Sequence, residues 1–264
     1  MEMAGRKSRI YYARTYRKLK SGGWKGVLFV CILVIPALFL LLWKCPEITR
    51  GMSWLAVRLL CDRFRGLQIQ IVESKFPVIG KISMVELPTV YPNMMEIIVN
   101  LLVMTGLVIF ACTGKRKGKP VSVFSLIVLV THLINCVYFL FGSNYFPYTA
   151  YQYSDLYMKQ QIGIWMFFII LAGCTIGFMG NRGILYKILA FWGTLLYSGI
   201  FGVARYVFFL YILERFSIFY MALLFFVFGP FFDFLYLVGI YALYINKMEK
   251  IYDSGDGREE WAWS

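Results

Sequence analysis

Six runs of roughly twenty mostly apolar residues run through this chain, and each is about as long as a helix must be to cross the hydrocarbon layer of a bilayer. They are Trp24–Trp43, Met94–Thr113, Val121–Gly142, Ile162–Gly180, Ile184–Val203 and the shorter Phe231–Asn246. In lipid every backbone N–H and C=O must be paired within the protein, so such runs fold as helices. Composition agrees: 60% of the 264 residues are hydrophobic and 16% charged, where a soluble domain has about 45–50% and about a quarter. Disordered, collagen-like, coiled-coil and disulfide-framework chains are excluded. The expected fold class is an all-α polytopic membrane protein with about six transmembrane helices.

Basic residues set the sides. Arg6, Lys7, Arg9, Arg14, Arg17, Lys18 and Lys20 precede the first run and Lys25 lies at its start. They place segment 1–23 in the cytoplasm at a cell membrane. Lys115, Arg116, Lys117 and Lys119 mark the loop after the second run as cytoplasmic, and Arg182 and Lys187 the loop after the fourth. The first run is followed by Trp43-Lys44-Cys45-Pro46, which is no cleavage site, so it reads as an uncleaved anchor. The net charge of +13 would suggest nucleic acid in a soluble protein. Here the charges cluster at the ends of apolar runs, and no nucleic-acid partner is expected.

Tail 247–264 carries Lys247, Lys250 and Arg258 beside five acidic residues, and should also be cytoplasmic. Five crossings leave the chain outside, so an odd number must follow. Val207–Gly229 is apolar but interrupted by Glu214 and Arg215, two charges that are costly at bilayer depth. Val207–Phe228 therefore reads as a re-entrant or interfacial element on the outer side, giving six spans within a transmembrane domain at 24–246. Seven spans with an external tail is the alternative.

The outer loop 44–93 is patterned. Trp54, Val57, Leu60, Cys61 and Phe64 recur at helical spacing opposite Arg58, Asp62 and Arg65, as in an amphipathic helix lying among headgroups. Leu67–Ile71 alternates with period two, Phe76-Pro77 is a breaker, and Val78–Leu87 is β-prone. A small hairpin is expected, acting as a cap over the bundle or as a lid guiding an extended substrate.

Three features resemble the exosortase/archaeosortase family of membrane-embedded transpeptidases. They are the extended Phe76-Pro77-Val78-Ile79-Gly80-Lys81-Ile82 segment, Arg205 at the outer end of a helix, and Phe231-Phe232-Asp233 opening the last span. The similarity covers roughly Ile69 to Ile245. Where the family carries its Cys this chain has Tyr91-Pro92-Asn93, where the His is expected it has Phe231 or Phe232, and Asn is missing before Arg205 in Val203-Ala204-Arg205. A thiol nucleophile needs a base and an anion-stabilising group. The resemblance thus implies a degenerate, exosortase G-like member without the sorting chemistry. It implies a non-catalytic subunit of an exopolysaccharide or cell-envelope machine, partnering a membrane glycosyltransferase (a polysaccharide synthase).

Individual residues carry paired readings. Arg205 is the candidate catalytic residue, an anion holder for a carboxylate, phosphate or anionic lipid, or else an interfacial arginine that snorkels. Glu96, Asn100, Glu214, Arg215 and Asp233 form a candidate polar cluster. Glu214 and Arg215 would bridge at the re-entrant turn, or lie exposed, and Asp233, too costly unpaired inside a span, would pair with Arg205. Glu96 and Asn100 would face Arg205 or serve as polar glue between helices. Tyr145, Tyr148, Tyr151, Tyr153 and Tyr157 would contact a glycan, or form an interfacial aromatic belt. His132 and Cys136, one turn apart, read mainly as a packed polar pair. Cys45 and Cys61 would bridge or remain free. With six scattered cysteines and a single histidine, no metal site or cofactor is expected. The basic N-terminal segment and Trp261-Ala262-Trp263 suit docking on a membrane or a partner. Two other functions remain open: a transpeptidase or lipid-linked transferase acting at the outer face, and a transporter subunit.

Overall fold

A computed structural model describes residues 17–19, 23–61, 69–77, 79–113, 120–179, 183–253 and 261–263. The expectations for segment 1–16, for Asp62, Phe64, Arg65, Leu67 and Gln68, for Val78, for the 114–119 loop, for Arg182 and for Arg258 lie outside those residues. The elements run β1 (Arg17–Leu19), α1 (Gly23–Cys61), β2 (Gln70–Phe76), β3 (Gly80–Glu86), α2 (Met94–Thr113), α3 (Pro120–Gly142), α4 (Ala150–Gly177), α5 (Ile184–Arg215), α6 (Gly229–Asp253) and β4 (Trp261–Trp263). Among the described residues six helical segments are long and apolar enough to cross a membrane, the last one extending from Ile218 to Ile251. The chain is a multi-pass membrane protein whose surroundings are a lipid bilayer. The apolar surface that helices leave outward is what lipid requires: on α2 only Ile97 is buried.

α1 has 39 residues, about 58 Å at helical rise, nearly twice the roughly 30 Å hydrocarbon layer. The patterned stretch at Trp54–Cys61 is therefore not a separate surface helix. It continues α1 straight through Pro46, and its inward stripe is Cys45, Thr49, Met52, Ser53, Ala56 and Leu60, while Trp54 is exposed. Cys45 and Cys61 are free thiols, about 24 Å apart by helical rise, and cannot bridge.

β2 and β3 pair antiparallel with Glu73 opposite Ser83 and Phe76 opposite Gly80. Strand β2 runs from Gln70 to Phe76, and Phe76-Pro77 breaks the chain between it and β3, giving the expected hairpin. The far edge of β3 is closed by side chains: Ser83 N donates to Thr49 Oγ1, Ser53 Oγ donates to Ser83 O, and Val85 N donates to the Tyr206 hydroxyl. Those bonds satisfy edge groups that would otherwise be orphaned against the helices.

α1 and α4 approach closely because α4 carries Gly173 and Gly177 one turn apart. A Cβ on Gly173 would collide with Val34, and one on Gly177 with Val30. Small residues four apart are the means by which membrane helices bring backbones together. α4 starts with a capping box, in which the Thr149 side chain accepts from Gln152 N and Gln152 Oε1 accepts from Thr149 N. α5 continues beyond Val203 to Arg215, turns at Phe216-Ser217, and returns through a 3₁₀ turn (Ile218–Tyr220) and a π-helical turn (Leu223–Phe228) into α6. At the two ends of the chain β1 pairs antiparallel with β4, Arg17 opposite Trp263. That pairing holds residues 17–19 and 261–263 side by side.

Candidate functional site

Where α4, α5 and the start of α6 meet, Arg205 is enclosed, 4% exposed. Ile184 opens α5, so Arg205 lies about 31 Å along it, one hydrocarbon thickness from that end. Its guanidinium is engaged on every side. Nε donates to Tyr157 Oη at 2.9 Å, Nη1 to Gly229 O at 2.8 Å, and Nη2 to Gln161 Oε1 at 2.7 Å. Nη1 also forms an ion pair with Asp233 Oδ2 at 2.8 Å. The Tyr157 and Phe201 rings flank it at 5.5 and 6.0 Å, adding cation–π attraction. Gly229 contributes its carbonyl next to the π-helical turn, where the backbone repeat is broken.

The network continues in both directions. Asp233 Oδ1 accepts from Tyr236 Oη, which lies 2.7 Å from Ser198 Oγ. Tyr157 Oη donates to Gly202 O, its ring stacks on Tyr206 at 5.0 Å, and Tyr206 Oη lies 2.6 Å from Ser154 Oγ and accepts from Val85 N. Gly202 is required there, since a Cβ would stand 2.9 Å from the Gln161 amide. Contacts therefore run from the β-hairpin to the ion pair through two buried tyrosines, by hydrogen bond from Val85 to Tyr206, by ring stacking from Tyr206 to Tyr157, and by hydrogen bond from Arg205 to Tyr157. Charge-assisted bonds of this kind are about twice as strong as neutral ones, and in a water-poor interior each partner depends on the others.

Glu96 and Asn100 are not part of this network. Ser217 Oγ donates to Glu96 Oε1 at 2.9 Å, Tyr220 Oη donates to Asn100 Oδ1 at 3.3 Å, and His132 Nε2 faces the same Asn100 oxygen at 3.4 Å. Asn135 Nδ2 donates to Phe219 O, and the His132 ring stacks on Tyr220 at 5.3 Å. This second cluster clasps α2 and α3 to the turn at 217–220. His132 Nδ1 has no partner, so His132 and Cys136 are not hydrogen-bonded; the free Cys136 thiol is buried. Glu214 Oε2 is buried without a partner, and no ion pair joins it to Arg215, which is exposed. Both residues sit at the end of α5 beside the turn.

The tyrosines divide. Tyr145 and Tyr148 are exposed and Tyr151 half-buried, whereas Tyr153 and Tyr157 are 0% and 1% exposed. The last two are interior residues and cannot form one surface with the others. Sequence reading missed Gln161, Tyr206, Ser154 and Tyr236. The signal for the first was the stripe Tyr153, Tyr157, Gln161, Trp165, one residue per turn along α4. Among the described residues no group of three or more His, Cys, Asp or Glu could hold a metal ion. No protein-family model matches this chain, and no curated protein or solved structure matches it.

Proposed function

We propose that this chain is a non-catalytic, exosortase-like subunit of a bacterial exopolysaccharide or envelope assembly machine. It lies in the cell membrane with both ends in the cytoplasm and holds a membrane glycosyltransferase as its partner. The Val207–Phe228 stretch is read as an element at the outer interface, reached because α5 and the last span exceed the bilayer thickness. The observation that carries this reading is the state of Arg205. A group that binds substrate anions keeps donors free and reachable, whereas this guanidinium spends its donors on Tyr157, Gln161, Gly229 and Asp233. Its nearest anion is the chain's own carboxylate, so the position that would hold a developing negative charge in a transpeptidase works here as a strut between α4, α5 and α6. The resemblance in sequence supplies the partner class, and the β-hairpin over the outer end supplies a surface for it.

The test is purification from the native membrane in mild detergent, followed by mass spectrometry of what comes with it. The expected result is stable recovery of a processive membrane glycosyltransferase. A monodisperse, partner-free chain that cleaves or joins a C-terminal peptide would overturn the proposal in favour of an enzyme at the outer face.

A further inference from the structure

At the end of the bundle where α4 finishes and α5 begins, a groove between α4, α5 and α6 holds a cavity of about 230 Å³. Its walls include Ile176 of α4, Ala190 and Thr194 of α5, and Phe234, Ile240 and Tyr244 of α6. Phe234 is 66% exposed on a helix that crosses the membrane, so the groove opens to lipid. An apolar lining alone does not choose between an acyl chain and the helix of a partner. The end of the groove does.

Tyr186 continues the α5 ridge of Ala190 and Thr194, one residue per turn, and Lys247 lies two turns beyond Ile240 on the same face of α6. Both ridges leave the apolar lining at a single contact, where Lys247 Nζ lies over the Tyr186 ring, 4.9 Å from its centroid. Both side chains are exposed, and among the described residues no carboxylate pairs with that ammonium. A cation steadied by a ring face rather than by an acid keeps its charge available to an anion. Depth agrees. Along α6 the lining runs from Tyr244 to Phe234, about 4 to about 20 Å from Lys247 by helical rise, and along α5 about 6 to about 12 Å from Tyr186. Half of a hydrocarbon layer of about 30 Å is about 15 Å. The groove therefore spans the acyl region of one leaflet, and Lys247 and Tyr186 stand at its headgroup level. In the topology proposed above that leaflet is the cytoplasmic one, whose surface is negatively charged.

We propose that this groove binds one anionic glycerophospholipid of that leaflet. An acyl chain lies between α5 and α6 against Ala190 and Ile240, and the phosphate is held by the Lys247 ammonium beside the Tyr186 hydroxyl. The site uses no residue of the Arg205 ion pair and stands whether or not the chain has a glycosyltransferase partner.

The experiment uses the full chain, stripped of lipid by repeated detergent exchange and then titrated with phosphatidylglycerol or with phosphatidylcholine of the same acyl chains, while native mass spectrometry reads occupancy. Wild type should take up one phosphatidylglycerol per chain several-fold more tightly than phosphatidylcholine. Lys247→Met, at an exposed position that leaves packing intact, should erase that preference without changing phosphatidylcholine uptake, and Lys247→Arg should keep it. Lys25→Met removes an exposed cation of α1, outside the groove, and should behave as wild type. Ala190→Leu extends a side chain into the groove and should weaken uptake of both lipids several-fold; if it fails to fold, the Lys247 and Lys25 variants decide the matter. No preference in wild type, or equal loss in Lys25→Met and Lys247→Met, would overturn the headgroup site. Undiminished uptake of both lipids by folded Ala190→Leu would overturn the groove as the place where the acyl chain lies.

Discussion

Consider replacing Arg205 by Met, Asp233 by Leu, and both together. The two side chains are 2% and 7% exposed and meet at 2.8 Å. Arg205→Met leaves the Asp233 carboxylate buried with Tyr236 as its remaining donor, and takes the donor from Gly229 O and Gln161 Oε1. Breaking a buried pair from one side costs about 3–5 kcal/mol, roughly two to four decades in the folding equilibrium. Asp233→Leu strands a guanidinium that keeps three neutral acceptors, and should fall at the lower end of that range. The double variant removes both charges and replaces them with apolar bulk, an exchange that is often close to neutral in its ionic part. What remains is the loss at Gly229 and Gln161, about 1–3 kcal/mol for each acceptor left dry. We therefore expect the double variant to be more stable than Arg205→Met by about 2–3 kcal/mol, so that in a double-mutant cycle the two single losses sum to far more than the double loss. Reversible unfolding in mixed micelles, followed by tryptophan fluorescence, supplies the four stabilities. Additive losses would refute the reasoning, because they would mean the two charges do not depend on each other in the folded bundle.

Three shorter expectations follow from other contacts. Gly177→Leu drives a side chain into Val30 and should separate α1 from α4, seen as loss of folded protein in detergent, whereas Gly106→Leu, at a position open to its surroundings, should be tolerated. Tyr206→Phe removes the acceptor of Val85 N and the partner of Ser154; protease cleavage of the Gln70–Glu86 hairpin should rise several-fold while the helices remain intact. Lys81 beside Glu73 holds that exposed carboxyl below its usual range. The ion pair is then present at neutral pH and lost as pH falls through the lowered folded-state value, so hairpin protection should weaken only in acid, and Lys81→Met should abolish that pH dependence.

Much of the fold could be read from runs of apolar residues, because bilayer thickness demands them. What misled was punctuation. Pro46, after Lys44 and Cys45, reads as the end of the first span, yet α1 continues through it, with Thr49 Oγ1 donating to the Cys45 and Pro46 carbonyls at 3.0 and 3.1 Å. Glu214 and Arg215 read as marking a turn, and they do end α5 beside one; what the pattern hid is that α5 runs unbroken to Arg215 and that the last span begins as early as Ile218. At the site, the cost of a carboxylate inside a helix was sufficient to couple Asp233 with Arg205. The tyrosines defeated the same logic, since Tyr153 and Tyr157 look interfacial beside Tyr145 and Tyr148. Their depth depends on how far α4 extends before it enters the bundle, and a hydropathy pattern does not register that. The hairpin's attachment through Tyr206 was equally hidden, for it joins residues 121 apart in sequence.

The most direct measurement replaces the chromosomal copy with the Arg205→Met, Asp233→Leu chain and assays the polymer made by the cell. If the guanidinium is a strut in a subunit that assembles a glycosyltransferase, polymer output should remain near the wild-type level wherever the variant accumulates in the membrane. Abolished polymer in cells that still hold the folded variant bound to its partner would show that Arg205 acts on a substrate, and would contradict the account.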